Sequence, residues 1–121
     1  MKLVYLAIPY SYNPEESFKI ANAVAADLMS QGYAVFSPVS HSHPISFELH
    51  PDLQLDHDFW MNQDLPILTK CEEMFVVNVD AIFGPCLIEK SRGLQREILT
   101  AKENNIPITY ITYGTDWQKV Q

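Results

Sequence analysis

Residues 74–105 read MFVVNVDAIFGPCLIEKSRGLQREILTAKENN, and this stretch decides the fold. Its beginning, Met74 to Val79, is the strongest continuous apolar run in the chain, which is typical of a central strand in a parallel sheet. Residues 80–90 contain turn-forming glycine and proline and predict a loop. A helix is then expected from Ser91 to about Asn105. The order of strand, loop and helix predicts a parallel unit whose helix begins near the carboxyl end of the strand.

The rest of the chain shows the same alternation. We expect further strands at Lys2–Ala7, Tyr33–Ser37 and Ile108–Thr112, further helices at Asn13–Gly32 and Leu53–Lys70, and a long loop at Val39–Pro51. Pro66 should kink or end the second of these helices, because proline lacks the backbone N–H. Together the elements predict one α/β domain over residues 1–121, doubly wound, with a four- to five-stranded parallel sheet and helices on both faces, Rossmann-like or flavodoxin-like.

Composition narrows the kinds of partner. The chain carries 15 acidic and 8 basic residues, for a net charge of −7, and its basic residues are not clustered as a nucleic-acid polymer would require. The two cysteines lack the close spacing of a redox pair or a zinc knuckle. Pro9 interrupts the N-terminal apolar run, and no segment approaches the ~20 apolar residues of a membrane span. We therefore expect a cytoplasmic protein with a small-molecule ligand and no membrane partner.

The predicted topology indicates where that ligand binds. In open parallel sheets, ligands bind outside the carboxyl ends of the strands, where the strand order reverses. This rule brings together three loops, at Ile8–Asn13, Pro38–Pro51 and Asp80–Ser91. The unusual polar residues of the chain lie in these loops or close to them.

Glu97 is the first candidate for chemistry. Ser91 is a plausible N-cap, Gly93 would let a ligand approach the backbone, and Glu97 lies one helical turn beyond Gly93 on the same face. An arbitrary glutamate at such a position would be a solvated helical residue. The location at the carboxyl edge of the sheet favours a functional role instead.

Asp64 is the second candidate. It lies one turn after Trp60 on a helix face that otherwise points to the core, where a carboxylate is costly without a partner or a role. By itself it is equally compatible with an ordinary surface aspartate. Asp56 and Asp58 lie nearer the solvated end of this helix and are weaker candidates.

Histidines at 41, 43, 50 and 57 suggest zinc, yet their spacing matches neither a structural nor a catalytic zinc site. Loop histidines that form a pocket wall are the simpler interpretation. The chain also lacks the G-x-S-x-G elbow, the phosphate-binding G-x-x-x-x-G-K and a glycine-rich turn after the first strand. The ordinary ATP-binding and NAD-binding interpretations are therefore excluded.

Taken together, these residues resemble the nucleoside 2-deoxyribosyltransferase-like superfamily, in particular its small phage and bacterial members near the 2′-deoxynucleoside 5′-monophosphate N-hydrolases. The resemblance covers most of the chain. It rests on Tyr5-Leu6-Ala7 with Pro9-Tyr10-Ser11, on FSPVSHSHPI at Phe36–Ile45, on Asp58, Trp60 and Asp64, on Cys71-Glu72, and on Ser91, Gly93, Glu97 and Ala101.

The resemblance implies roles for these residues. Glu97 would be the nucleophile that attacks C1′ of the sugar, Asp64 would assist, and Tyr5 would position the glutamate. The expected substrate-binding residues are Pro9, Tyr10, Ser11, His41, His43, Trp60, Ser91, Arg92 and Gly93. No metal or other cofactor is expected, and a homo-oligomer is implied because related enzymes often complete the site from a neighbouring subunit.

Ser91 indicates the substrate. The deoxyribosyltransferases look to carry aspartate there and the monophosphate hydrolases serine, and a serine at a helix N-terminus tolerates a phosphate that aspartate would repel. Two features depart from the hydrolases: the first loop lacks their Gly-Ser-x-Arg pattern, and residues 80–90 look longer than usual.

Two other hypotheses stay open, namely a non-catalytic nucleotide-binding module and a metal-dependent hydrolase using His41, His43 and Asp64.

Overall fold

The computed structural model describes residues 1–114, and its centre is a four-stranded parallel sheet. The strands are β1 (Leu3–Ala7), β2 (Ala34–Phe36), β3 (Glu73–Asn78) and β4 (Ile108–Thr112), in the order β2-β1-β3-β4. Tyr5 pairs with Phe36 on one side and Met74 on the other. The predicted doubly wound α/β fold is confirmed, with four strands. Residues 115–121, the end of the predicted domain, lie outside the described part.

Seven helices connect and flank these strands within residues 1–114. They are α1 (Pro14–Ser30), α2 (Pro38–Ser46), α3 (Pro51–Gln54), α4 (His57–Leu68), α5 (Asp80–Phe83), α6 (Leu87–Lys90) and α7 (Arg92–Glu103). None of the helices in this range is both long and apolar enough to cross a membrane.

The core has two layers, one on each face of the sheet. Alternating strand residues point to opposite faces, so Val4 and Leu6 pack against α1, whereas Tyr5 and Ala7 pack against residues of α4 and α7. All four of these side chains are buried. This alternation confirms the prediction that helices cover both faces.

The prediction of a long loop at residues 39–51 is wrong, since the chain forms α2 and α3 there. Ser37 caps α2 by accepting a hydrogen bond from the Ser40 amide at 3.4 Å, and Pro38 occupies the first helical position. Pro51 likewise occupies the first helical position of α3, and the His50 ring accepts a hydrogen bond from the Asp52 amide. The two prolines at the ends of the predicted loop therefore begin helices, where the missing N–H costs nothing.

Two further boundaries differ from expectation. Residues 80–90 form the single-turn helices α5 and α6, separated at Gly84, whose φ of 104° is in the region that favours glycine. The helix expected from Leu53 begins only at His57, capped by Asp56, and runs two residues past Pro66. Pro66 lies in the last turn of α4, where it removes a single intrahelical hydrogen bond. The helix therefore continues for two residues beyond Pro66 before it ends.

The first helix begins and ends as predicted. Asn13 accepts a hydrogen bond from the Glu16 amide at 3.3 Å, Pro14 follows at the first helical position, and Gly32 beyond the last turn has a φ of 100°. A side-chain oxygen at the N-cap satisfies one of the amides that the first turn leaves without a partner.

Replacing Asn13 by alanine should lower the free energy of unfolding by about 1 kcal/mol, because the cap is lost. Urea denaturation measures this change. Asn22→Ala is the matched control, since Asn22 is exposed within the same helix and alanine is the better helix former. Equal losses in the two variants would show that the cap contributes nothing.

Candidate active site

A cavity of about 470 Å³ lies at the carboxyl end of β1. Its wall includes β1 residues Leu6 and Ala7, the following loop at Tyr10, and residues of α2, α4 and α7. Its volume is in the range of sites for small organic ligands. Its position at the carboxyl edge of the sheet agrees with the parallel-sheet rule, although only Ser91 of the predicted third loop, Asp80–Ser91, lies in the wall.

Glu97 lies in this wall, although its side chain is only 7% exposed. Ser91 fixes the start of α7 by accepting a hydrogen bond from the Leu94 amide at 3.2 Å. Behind Glu97, the hydroxyl of the fully buried Tyr5 donates a hydrogen bond to Glu97 Oε2. The central strand β1 thus fixes the orientation of a carboxylate on α7.

Asp64 of α4 is the second buried carboxylate in the wall, at 7% exposure. Burial raises its pKa to about 6. Burial likewise raises the pKa of Glu97, to about 8. The hydrogen bond from Tyr5 acts to lower this pKa, and the charge of Asp64 acts to raise it. Burial, followed by the charge of Glu97, also keeps the pKa of Tyr5 well above its usual range. The pair can therefore hold and release protons near neutral pH.

The beginning of α7 contributes Ser91, Arg92 and Gly93 to the same wall. A Cβ placed on Gly93 would meet only the Met61 Cε atom, at an ordinary 3.5 Å. Packing within the protein therefore does not require glycine here. The close approach of a ligand to the backbone remains the expected reason for it.

A chain of three polar side chains reaches the cavity from α1, α2 and the loop after β1. Tyr10 Oη lies 2.5 Å from His43 Nδ1, and His43 Nε2 lies 3.1 Å from Glu15 Oε1. The His43 ring is 6% exposed and packs 4.5 Å, between centroids, from Phe18 of α1. Tyr10 and His43 both line the cavity.

Most of the predicted site residues meet at this cavity. Those in its wall are Tyr10, Ser11, His43, Trp60, Asp64, Ser91, Arg92, Gly93 and Glu97. Three others do not line it. Tyr5 lies behind Glu97, Pro9 is buried with its carbonyl accepting from Ser17 Oγ at 2.8 Å, and His41 is exposed beside Phe36. The roles assigned to the whole set stay predictions.

Several wall residues were missed from sequence. Ser42 and Ser46 line the cavity from one face of α2, four positions apart, and Gln54 and Met61 line it from α3 and α4. The serines were missed because their segment was interpreted as a loop. The Ser37-Pro38 pair, an N-cap followed by proline, was the available signal.

The residues of the metal hypothesis do not form a cluster. Within residues 1–114, no group of three or more histidine, cysteine, aspartate or glutamate side chains is arranged to hold a metal ion. His41 lies at the surface, and both ring nitrogens of His43 already have protein partners. His41, His43 and Asp64 therefore do not form a common site.

The fold and the cavity define the protein as a doubly wound α/β domain with a carboxylate-lined cavity at the carboxyl edge of its sheet. The chain belongs to the family described as domain of unknown function (DUF1937), which it matches over residues 2–112. Comparison with curated proteins finds no match.

A solved structure shares the fold. It is described as a 2-deoxyribosyltransferase from the psychrotolerant bacterium Bacillus psychrosaccharolyticus, and it superposes with a TM-score of 0.64 at 18% identity, over 96% of this chain and 76% of that one. The predicted resemblance to the deoxyribosyltransferase-like proteins is thereby confirmed for the fold.

Proposed function

We propose that this protein cleaves or exchanges the N-glycosidic bond of a (deoxy)nucleoside or its 5′-monophosphate, with Glu97 as the nucleophile. The observation that carries the proposal is the buried group of Tyr5, Glu97 and Asp64 at the wall of the cavity. The fold shared with a protein described as a 2-deoxyribosyltransferase supports it.

In the proposed reaction, a Glu97 carboxylate oxygen bonds to C1′ while the bond from C1′ to the base nitrogen breaks. The bonding electron pair leaves with the base, which takes up a proton. Water or a second base then attacks C1′ and releases Glu97. Two carboxylates suit this chemistry, because one captures the oxocarbenium-like centre while the other orients the sugar or supplies the proton. We assign the second role to Asp64, because it is the other buried carboxylate in the cavity wall.

The test of this function is a panel of nucleosides and 5′-monophosphates, with free base measured by chromatography. Base release from at least one of them is the expected result. Saturable binding without any release after long incubation would contradict the proposal and support a nucleotide-binding module instead.

We further propose that a 5′-monophosphate is preferred. Ser91 and Arg92 lie in the cavity wall at the N-terminus of α7, where helix amides and a guanidinium favour a negative charge. Ser91 adds no charge of its own, so phosphate and N-cap do not repel each other.

Ser91→Asp should lower base release from a monophosphate by at least about tenfold, because the added charge lies close to the phosphate. Release from the unphosphorylated nucleoside should change much less, and kcat/KM for the two substrates measures the difference. Ser91→Asn is the matched control, since asparagine also caps a helix but carries no charge. A parallel loss in the aspartate and asparagine variants would place the phosphate elsewhere.

The homo-oligomer that the resemblance implies stays a prediction. Light scattering on the purified protein tests it directly, because a monomer at assay concentration would contradict it.

A further inference from the structure

Glu15, His43 and Tyr10 form a hydrogen-bonded chain that runs from the protein surface to the cavity. Glu15 is 66% exposed at its side chain, His43 is buried, and Tyr10 is half-buried in the cavity wall. Burial, and then the charge of Glu15, raises the pKa of Tyr10, so its phenol retains the proton. The group uses residues of α1, α2 and the loop after β1, and it includes none of the carboxylates of the proposed reaction.

Glu15 determines how hydrogens are distributed along this chain. A carboxylate can only accept a hydrogen bond, so Nε2 of His43 must carry the hydrogen that faces Glu15. In the neutral ring, Nδ1 then has only a lone pair, and Tyr10 donates its hydroxyl hydrogen to it. With that hydrogen engaged, the Tyr10 oxygen can offer a ligand only its remaining lone pairs.

We propose that the Tyr10 oxygen is a hydrogen-bond acceptor that selects nucleobases bearing an exocyclic amino group, such as adenine or cytosine, over their keto counterparts. This inference rests on the proposed function in two respects, namely that the ligand is a nucleoside or its monophosphate and that Glu97 attacks its C1′. A keto oxygen at the same position would face the Tyr10 oxygen with no hydrogen between them, and an unsatisfied pair of acceptors is costly in a desolvated site.

We infer the position of the base from the two layers of the core. Glu97 and Asp64 come from α7 and α4, on one face of the sheet, whereas His43 and Glu15 come from α2 and α1, which pack together by the other face. A leaving group departs on the side of C1′ opposite the attacking oxygen, so a sugar held at Glu97 directs its base towards the α1 and α2 side. Ser42, also in that wall, has a hydroxyl that can donate or accept, and it therefore does not discriminate.

The test measures equilibrium binding by calorimetry to the Glu97→Gln variant, in which the proposed turnover is blocked. The ligands are the 5′-monophosphates of deoxyadenosine, deoxyinosine and the purine deoxynucleoside that lacks the 6-amino group, named below by their nucleosides. Deoxyadenosine should bind at least about tenfold more tightly than either of the others. Equal affinities, or no binding by any of the three, would overturn the inference.

Glu15→Gln, introduced into the same Glu97→Gln background, tests the chain itself. The glutamine amide can donate to Nε2 as well as accept from it, so both tautomers of His43 become available and the Tyr10 hydroxyl is released to donate to a ligand. The preference for deoxyadenosine should fall to within about threefold, while circular dichroism stays unchanged. Glu16→Gln is the matched control, because it removes the same charge from the same helical turn without touching His43. A preference that survives Glu15→Gln, or that Glu16→Gln removes equally, would overturn the inference.

Base release by the unmodified protein distinguishes the two proposals. Release from amino and keto substrates with equal kcat/KM would overturn the amino preference and leave the N-glycosidase proposal intact. A preference in binding together with no release from any substrate would overturn the N-glycosidase proposal alone.

Discussion

Replacing Glu97 by glutamine should lower the rate of base release by about 10³-fold or more, on the scale seen when a nucleophile is removed. Glutamine preserves the shape of the side chain and can accept the Tyr5 hydrogen bond, so the fold should persist. An amide oxygen, however, is too weak a nucleophile to capture C1′. Single-turnover measurements with chromatographic detection of free base give the rate of the chemical step.

Glu103→Gln is the control for this experiment, because Glu103 lies on the same helix with its side chain 61% exposed. It should release base at the rate of the unmodified protein. If Glu97→Gln also released base at that rate, Glu97 would not be the nucleophile and the reaction would need another origin.

The second large effect concerns stability against pH. The folded-state pKa of Glu97 is about 8 against an ordinary 4.5, and that of Asp64 is about 6 against 3.8. Because both values are raised, folding favours the protonated carboxyls. Their contribution to stability is complete below the ordinary values and is lost as pH rises through about 6 and about 8. The free energy of unfolding should therefore fall by on the order of a few kcal/mol between about pH 5 and about pH 9.

Urea denaturation across this range measures the effect. Glu97→Gln should remove most of the decline above neutral pH, since the glutamine cannot ionise, whereas Glu103→Gln should retain it. Burial acts to raise the pKa of Glu73, but the hydrogen bonds from Thr109 and Lys2 and the charge of Lys2 together outweigh it and lower that pKa. The contribution of Glu73 is therefore lost only as pH falls below the ordinary glutamate value, outside this window. A decline of unchanged slope in Glu97→Gln would mean that Glu97 ionises in the folded protein without penalty.

The sequence was sufficient for the strands and for α1, because their signals are local. An apolar run such as residues 74–79 and the caps at Asn13 and Gly32 act within a few residues. The same local information was misinterpreted at residues 38–51, where prolines and polar residues suit either a loop or a helix start. Only packing of α2 against α1 decides between these.

Contacts between distant residues could not be predicted in detail. Asp64 and Glu97 were identified by their positions on predicted helices, and both do lie in the cavity wall. The link from His43 to Glu15 spans 28 positions and depends on how α2 packs against α1. His41 and His43 lie two positions apart in the sequence, yet only His43 lines the cavity and His41 is exposed. The sequence could not distinguish them, because the difference depends on how α2 packs.

The division of the cavity between the two faces of the sheet has a consequence for engineering. The carboxylates are anchored to one packed layer and the His43 and Glu15 side chains to the other, and the four-stranded sheet lies between the two layers. Substitutions in α1 and α2 can therefore alter which ligand is accepted without displacing the carboxylates. Under the proposed function, such substitutions would change the preferred base and retain the chemistry, so an engineer could exchange one half of the cavity at a time.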